Sequence, residues 1–198
     1  LYHLIFVVKI KNIMKVCILG NGLTSLALAK TLVNHEINVD IFCNKKIKKY
    51  SKNQTIGISK SNVDFFNKNI LNINKLLWDI NKIEIYSQNL KNEKILKFEK
   101  NDDKLFSIVR NFDLYENLLF FLNKSKLVKF KKNISYDNLI KKNYKLIFNC
   151  DFQNFISKKF FYKNINKNYN SFAYVTSFSH KKISNNNTAF QIFTDKGP

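Results

Sequence analysis

Residues 15–42 read KVCILGNGLTSLALAKTLVNHEINVDIF, and this stretch decides the fold. Lys15-Val16-Cys17-Ile18-Leu19 is a short continuous apolar run, the pattern of a strand covered on both faces. Gly20-Asn21-Gly22 follows as a turn. Residues 24–33 carry Leu26, Ala27, Leu28, Ala29, Thr31 and Leu32 with no Gly or Pro, and Asn34 lies near the stop. That spacing predicts a buried helix of about ten residues. Val39-Asp40-Ile41-Phe42 predicts a second strand. Strand, glycine turn, helix and strand together have the size of a βαβ unit.

Within it, Gly20-Asn21-Gly22-Leu23-Thr24-Ser25 is a G-x-G-x-x-S turn. The first glycine permits the tight turn out of the strand, and the second lets backbone approach a diphosphate. The small third residue lets helix and strand pack closely. The helix start then offers N–H groups and a partial positive charge to an anion. A lone match of this kind also occurs as a merely structural turn. Here it follows an apolar strand and opens a helix, the context that points to dinucleotide binding. The acidic residue that usually ends the second strand and holds ribose hydroxyls is replaced by Cys43. Asp40 lies nearby, but side-chain alternation along the strand turns it to another face.

Outward from this unit, the chain has 198 residues, 45% of them hydrophobic, enough to bury a core and to exclude wholesale disorder. Only 4 Gly and 1 Pro exclude collagen-like and Pro-rich classes. Cys17, Cys43 and Cys150 are too few and too scattered for a disulfide framework or a four-ligand zinc site, which fits a reducing, cytoplasmic setting. The net charge of +20 suggests a polyanion partner, but Arg110 is the only arginine. A nucleic-acid surface recruits Arg for bidentate contacts. About 30 Asn accompany the lysines, so an A/T-rich codon bias accounts for both, and no nucleic-acid partner is expected. An anionic membrane surface stays open, because Lys attracts acidic lipid without fixed geometry.

Residues 1–13 contain the apolar run Leu4-Ile5-Phe6-Val7-Val8, far short of the ~20 residues that span a bilayer. They also lack a signal-peptide cleavage site. We read them as an upstream extension, with Met14 standing directly before the first strand. Lys196-Gly197-Pro198 falls inside an apparent strand-and-loop unit, so a truncated reading frame is expected.

Between the ends, residues 63–77 show helical spacing (Phe66, Ile70, Ile73, Leu77). Ile83-Glu84-Ile85-Tyr86 and Ile95-Leu96-Lys97-Phe98 predict an antiparallel pair. Residues 113–122 predict an amphipathic helix with Leu114, Leu118, Leu119 and Leu122 on one stripe. Residues 144–148 predict another buried strand, ending at Asn149-Cys150-Asp151. Residues 172–178 and 188–193 predict two strands joined by the turn at 184–187, and the Lys- and Asn-rich stretch 163–170 predicts a loop. His3, His35 and His180 are far apart in sequence, and no Ser-His-Asp set or metal cluster is apparent.

Several segments, taken in order, resemble the N-terminal part of the flavin-dependent aromatic hydroxylases of ubiquinone biosynthesis. After the glycine turn at 20–25, Gln54-Thr55-Ile56-Gly57-Ile58-Ser59 resembles an R-x-I-A-L-S segment, with Gln54 in the arginine's place. Ile108-Val109-Arg110-Asn111 with the helix from Asp113 resembles a V-x-N-x-x-L segment near the flavin. The run from Leu146 to Phe152 resembles a G-A-D-G motif, keeping Asp151 but placing Phe152 at the glycine. Residues 188–193 with Gly197-Pro198 resemble an A-x-Q-x-F…G-P stretch.

The resemblance implies an α/β fold: an FAD-binding Rossmann-like domain, its parallel sheet built on the βαβ unit, plus part of an inserted antiparallel β-sheet substrate domain. The FAD-binding segments would be 14–80 and 100–160, and the sheet domain 81–99 and 161–198. It implies FAD as cofactor and NAD(P)H as reductant in an oxygen-using hydroxylation of a polyprenylated phenol, a hydrophobic aromatic small molecule. Gly20, Gly22, Leu23, Thr24 and Ser25 would meet the diphosphate, with Cys43 at the ribose position and Gln54, Arg110 and Asn111 toward the flavin. Asp151 would lie near the diphosphate or the reductant's path, or serve only as a helix cap. The setting would be cytoplasmic, with peripheral contact to the inner membrane face or a ubiquinone-biosynthesis complex. A nicotinamide-dependent dehydrogenase shares the glycine turn, and a basic binding module is the non-enzymatic alternative.

Overall fold

A computed structural model of the chain describes residues 14–43, 51–90, 93–99, 103–132, 134–161, 165, 167–176, 178, 181 and 187–197. The expected upstream extension, His3, His180 and most of the turn at 184–187 lie outside these residues. Two compact units form. The first takes the described residues up to 43 and from 118 to 167; the second takes those from 51 to 117 and from 168 to 197.

The first unit is built on a four-stranded parallel sheet. The predicted βαβ unit is present: β1 (Lys15–Leu19), α1 (Leu23–Asn34) and β2 (Asn38–Cys43), with Leu19 level with Phe42. Two later strands, β8 (Val128–Lys132) and β9 (Leu146–Asn149), complete the order β8-β2-β1-β9. β1 is central, and Val16 to Leu19 are buried, as a strand covered on both faces requires. α1 packs Ser25, Leu26 and Ala29 inward. Its end is set by His35 as cap and Glu36 at φ 60, a left-handed residue of the kind that terminates helices. Two short helices follow the later strands, α4 (Tyr136–Lys141) after β8 and α5 (Phe155–Phe160) after β9. One core cluster gathers Cys17, Leu19, Phe42, Ile134 and Leu139, with Tyr144, Phe155 and Ile156 against it.

The second unit carries two three-stranded sheets. β3 (Thr55–Ser59), β7 (Phe106–Arg110) and β4 (Leu77–Ile80) form an antiparallel sheet in the order β3-β7-β4. β5 (Lys82–Ser87) pairs antiparallel with β6 (Glu93–Glu99), as the alternation predicts, with Ile83 opposite Phe98 and Ile85 opposite Leu96. β10 (Thr188–Phe193) runs parallel to β5 on its other side. The helix expected over 113–122 is α3 (Asn111–Asn123), whose first turns belong to this unit and whose last belong to the other.

Three expectations are corrected. The helix expected over 63–77 is α2 (Lys60–Asn69), capped by the Ser59 hydroxyl and ending early. Asn67 turns the chain there: its Oδ1 accepts from the Ile73 N–H at 2.9 Å and its Nδ2 donates to Asn74 Oδ1 at 2.8 Å. Asn side chains compete in this way with helical backbone bonding. Residues 172–176 and 178 form no strand; Phe172, Tyr174 and Phe178 are exposed, and among the described residues no strand lies beside this segment for it to pair with. The strand expected to be buried at 144–148 is β9, at the sheet edge, with Leu146 and Ile147 exposed.

Candidate diphosphate-binding site

The chain leaves β1 for β2 on one side, and only after β8 does it arrive at β9 on the other. The carboxyl end of β1 is therefore the point where connections diverge and leave a crevice. Gly20 occupies it. Its N–H donates to the Phe42 carbonyl at 2.8 Å, while the Cys150 N–H donates to the Leu19 carbonyl at 2.9 Å, tying the turn to both neighbouring strand ends.

Gly20 is required twice over. Its φ is +110°, a conformation that L side chains rarely adopt. A Cβ there would also come within 3.2 Å of Asp151 Cβ and of Ser25 Oγ, and 3.3 Å of the Cys150 carbonyl carbon. Gly22 plays a different part. It is the N-cap of α1 in ordinary extended backbone, supplies no capping side chain, and no acidic residue stands in the first turn. The positive end of the helix thus has no counter-charge of its own. Two buried side-chain atoms beside it, Ser25 Oγ and Asn21 Nδ2, have no hydrogen-bond partner. Leaving such a group unsatisfied costs about 1–3 kcal/mol. Both can donate to an anionic oxygen, and with Thr24 exposed and Asn21, Gly22 and Leu23 half-buried, solvent-borne ligand can reach the turn. The residues present fit a diphosphate.

The far side of the turn is filled. A cavity of only about 10 Å³ remains among Leu19, Gly20, Phe42, Ile134, Asp151, Asn154 and Phe155. Burial pushes the Cys150 thiol pKa up; the adjacent Ser25 hydroxyl pulls it back without reaching hydrogen-bond geometry. Beyond Cys150, an open apolar cleft of about 980 Å³ runs along β9, lined by Ile147, Phe148, Phe152, Ile156, Phe160 and Phe161 among others.

Within the first unit, then, Gly20, Gly22, Leu23, Thr24, Ser25 and Asp151 come together. The cap of α5 is Asn154, whereas Asp151 Oδ1 accepts from the Gln153 N–H at 3.0 Å in a local turn. Cys43 ends β2 opposite Lys132. Asp40 is fully engaged elsewhere: Lys131 and the Tyr144 hydroxyl each donate to Oδ2 at 2.5 Å, and Lys15 lies at 3.0 Å. Burial raises its pKa, but these three partners outweigh burial and hold the carboxyl below its usual range. Burial, then Asp40, pushes the neighbouring Cys17 thiol up to about 12. Burial and the bond to Asp40 also raise the Tyr144 hydroxyl.

Gln54, Arg110 and Asn111 come together in the second unit. The Asn111 N–H donates to the Gln54 carbonyl at 2.9 Å, and Arg110 lies opposite Thr55 across β3 and β7. Asn111 Oδ1 is buried without a partner, and no ion pair to Arg110 is found among the described residues. The sequence reading missed Asn149, Asn154 and Ser157, which organise the turn after β9. Their one local signal is the Asn-x-x-Ser spacing ahead of a helix. Among the described residues no cluster of His, Cys, Asp and Glu could hold a metal, and no helix is long and apolar enough to cross a membrane.

No protein-family model matches the sequence, and no curated protein matches it. Solved structures do. PqsL of Pseudomonas aeruginosa, described as a probable FAD-dependent monooxygenase, superposes with a TM-score of 0.54 at 10% identity, over 77% of this chain and 46% of its own. A substituted form of PqsL gives 0.51 at 14% identity, over 63% and 36%. The tetrameric form of 2-methyl-3-hydroxypyridine-5-carboxylic acid oxygenase gives 0.50 at 13% identity, over 60% and 31%. The chain spans less than half the length of these structures, and its fold, a Rossmann-like parallel sheet with further antiparallel sheet, is similar to part of the folds of PqsL and of this pyridine-carboxylic acid oxygenase.

Proposed function

We propose that the chain holds FAD and forms part of a flavin-dependent monooxygenase that hydroxylates an aromatic ring. The observation that carries this reading is the Gly20 turn: a position only glycine fills, at an uncapped helix start, beside the orphaned donors of Ser25 and Asn21. The similarity in fold to FAD-dependent monooxygenases supports it. A nicotinamide-dependent enzyme with a plain doubly wound sheet would not need the two sheets of the second unit.

When bound, the flavin supplies the redox chemistry and the activation of oxygen. The chain's own residues do the holding. Gly20 spends its N–H on the Phe42 carbonyl and shapes the turn for close backbone approach, while Gly22, Leu23, Thr24 and Ser25 would present backbone and hydroxyl donors to the diphosphate, whose charge the α1 dipole would favour. Asp151 packs its Cβ into the space that Gly20 leaves. Cys43 offers no carboxylate for the ribose, so affinity rests on the diphosphate contacts. Gln54, Arg110 and Asn111 are assigned to the flavin's ring end by the segment resemblance, with Asn111 Oδ1 ready to accept a donor. By the same resemblance we take NAD(P)H as the reductant and a polyprenylated phenol of ubiquinone biosynthesis as the substrate, met at a membrane surface.

Titration of the purified chain with FAD, followed by quenching of flavin fluorescence, tests the cofactor directly. Saturable binding that ADP displaces is expected, because both ligands carry the diphosphate. A chain that binds neither FAD nor ADP would overturn the reading.

A further inference from the structure

We propose that Asn149, Asn154 and Ser157 are positioning residues: a side-chain lock that holds the Cys150–Asp151 turn against Gly20 and thereby sets the shape of the diphosphate loop. The inference rests on the diphosphate reading of that loop and adds residues that touch no ligand.

The lock closes through every polar atom of the three side chains. Asn149 Nδ2 donates to Ser157 Oγ at 2.7 Å, and Ser157 Oγ donates onward to the Asp151 carbonyl at 3.2 Å. Asn149 Oδ1 accepts from Asn154 Nδ2 and from the Asp151 N–H. Asn154 Oδ1 accepts from the Ser157 N–H at 3.0 Å. Asn154 and Ser157 are buried, so each bond replaces one that water would otherwise make. The Asp151 carbonyl is therefore held by Ser157 of α5 and the Asp151 N–H by Asn149 at the end of β9, which Asn154 and Ser157 in turn fix.

Its opposite side is the surface that meets the loop. Asp151 Cβ and the Cys150 carbonyl carbon are two of the three atoms that approach the missing Gly20 Cβ, at 3.2 and 3.3 Å. With the Cys150 N–H bonded to Leu19, a shift of this turn carries the end of β1 and Gly20 with it. In the motif that the segment 146–152 resembles, glycine stands where Phe152 is found, so close backbone packing has to be secured by other means. The three side chains provide it.

Ser157→Ala opens the lock without adding charge and leaves the Asn154 cap bond to the Ser157 N–H intact, and Ala is a good helix former. Ser157→Thr keeps the hydroxyl. For the purified chain, Ser157→Ala should raise the dissociation constants of FAD and ADP by the same factor, about tenfold, the size of one hydrogen bond. Ser157→Thr should restore both to within about twofold. Without ligand, amide exchange across residues 20–25 should quicken about tenfold in Ser157→Ala and remain as in the parent in Ser157→Thr. If the parent binds both ligands and Ser157→Ala binds them equally well, with unchanged exchange, the lock is refuted while the diphosphate site stands. If the parent binds neither, the site and the lock's proposed role fall together.

Discussion

β1 and β9 are neighbours in one sheet and look alike in sequence, yet they end in opposite environments. KVCIL at 15–19 and LIFN at 146–149 are both short apolar runs that lead into a functional turn. In β1, Val16, Cys17 and Ile18 are 0% exposed; in β9, Leu146 and Ile147 are 46% and 42% exposed. The difference comes from the sheet order. β1 has a strand on each side and α1 on one face, whereas β9 pairs on one side only among the described residues. An apolar run identifies a strand, but burial is conferred by what the rest of the chain brings to it. The Gly20 turn is built from the end of each strand, so its shape depends on a saturated element and a half-covered one.

The largest effect expected from this contrast is at the centre. Ile18→Ala removes buried methyl groups where both neighbouring strands prevent collapse, and should cost about 2–5 kcal/mol. Urea unfolding of the purified chain checks it, read as a fall in midpoint at unchanged slope. A loss below about 1 kcal/mol would mean that β1 is not the core strand described.

Gly20→Ala comes next. At φ +110° the strain alone should cost about 1–3 kcal/mol, and the nearest atoms include the Cys150 backbone, which cannot rotate away. Because Ser25 Oγ and Asp151 Cβ must also move, FAD and ADP binding should be lost together even where the variant remains folded. Retained binding with unimpaired stability would show that β9 does not press on the turn.

The contrast also explains what could be read from the amino acids alone. β1, α1 and β2 were legible because local terms agree there: apolar strand, glycine turn, uninterrupted helix. β8 was not, because Val128 and Phe130 alternate with three lysines and the strand owes its existence to pairing with β2. The parallel pairing of β10 with β5 likewise depends on contacts between segments about a hundred residues apart, which no periodicity reveals. Of the candidate site, the glycine turn was visible and the lock was not. In a chain with about 30 Asn, Asn149 and Asn154 look like part of the compositional bias until their bonds are seen.

Asp40 gives a smaller, pH-dependent effect on the buried side. Its folded pKa lies below the ordinary 3.8, so its stabilisation is full above that value and is lost as pH falls through the lower, folded one. Asp40→Asn keeps the shape but removes the charge that Lys131, Lys15 and Tyr144 face, and should cost about 1.5–3 kcal/mol at neutral pH. The gap between variant and parent should close as acid protonates Asp40 in the parent. Urea midpoints measured from pH 6 downward test this; a gap that stays constant through the acid range would exclude Asp40 as its source.

The smallest effect belongs to the edge, and it is the one that decides how the comparison should be read. Ile147→Thr keeps the β-branch that suits a strand and exchanges one exposed methylene-bearing group for a hydroxyl. With Ile147 left 42% exposed by the described residues, at the wall of the open cleft, stability should move by no more than about 0.5 kcal/mol. A cost approaching that of Ile18→Ala would mean that the β9 face is covered in the molecule under test, because an apolar side chain loses stability on becoming polar only where burial had removed it from water. The same urea experiment on a longer polypeptide or at higher protein concentration would then show whether the cover is further chain or a second copy, since only the latter makes the midpoint depend on concentration.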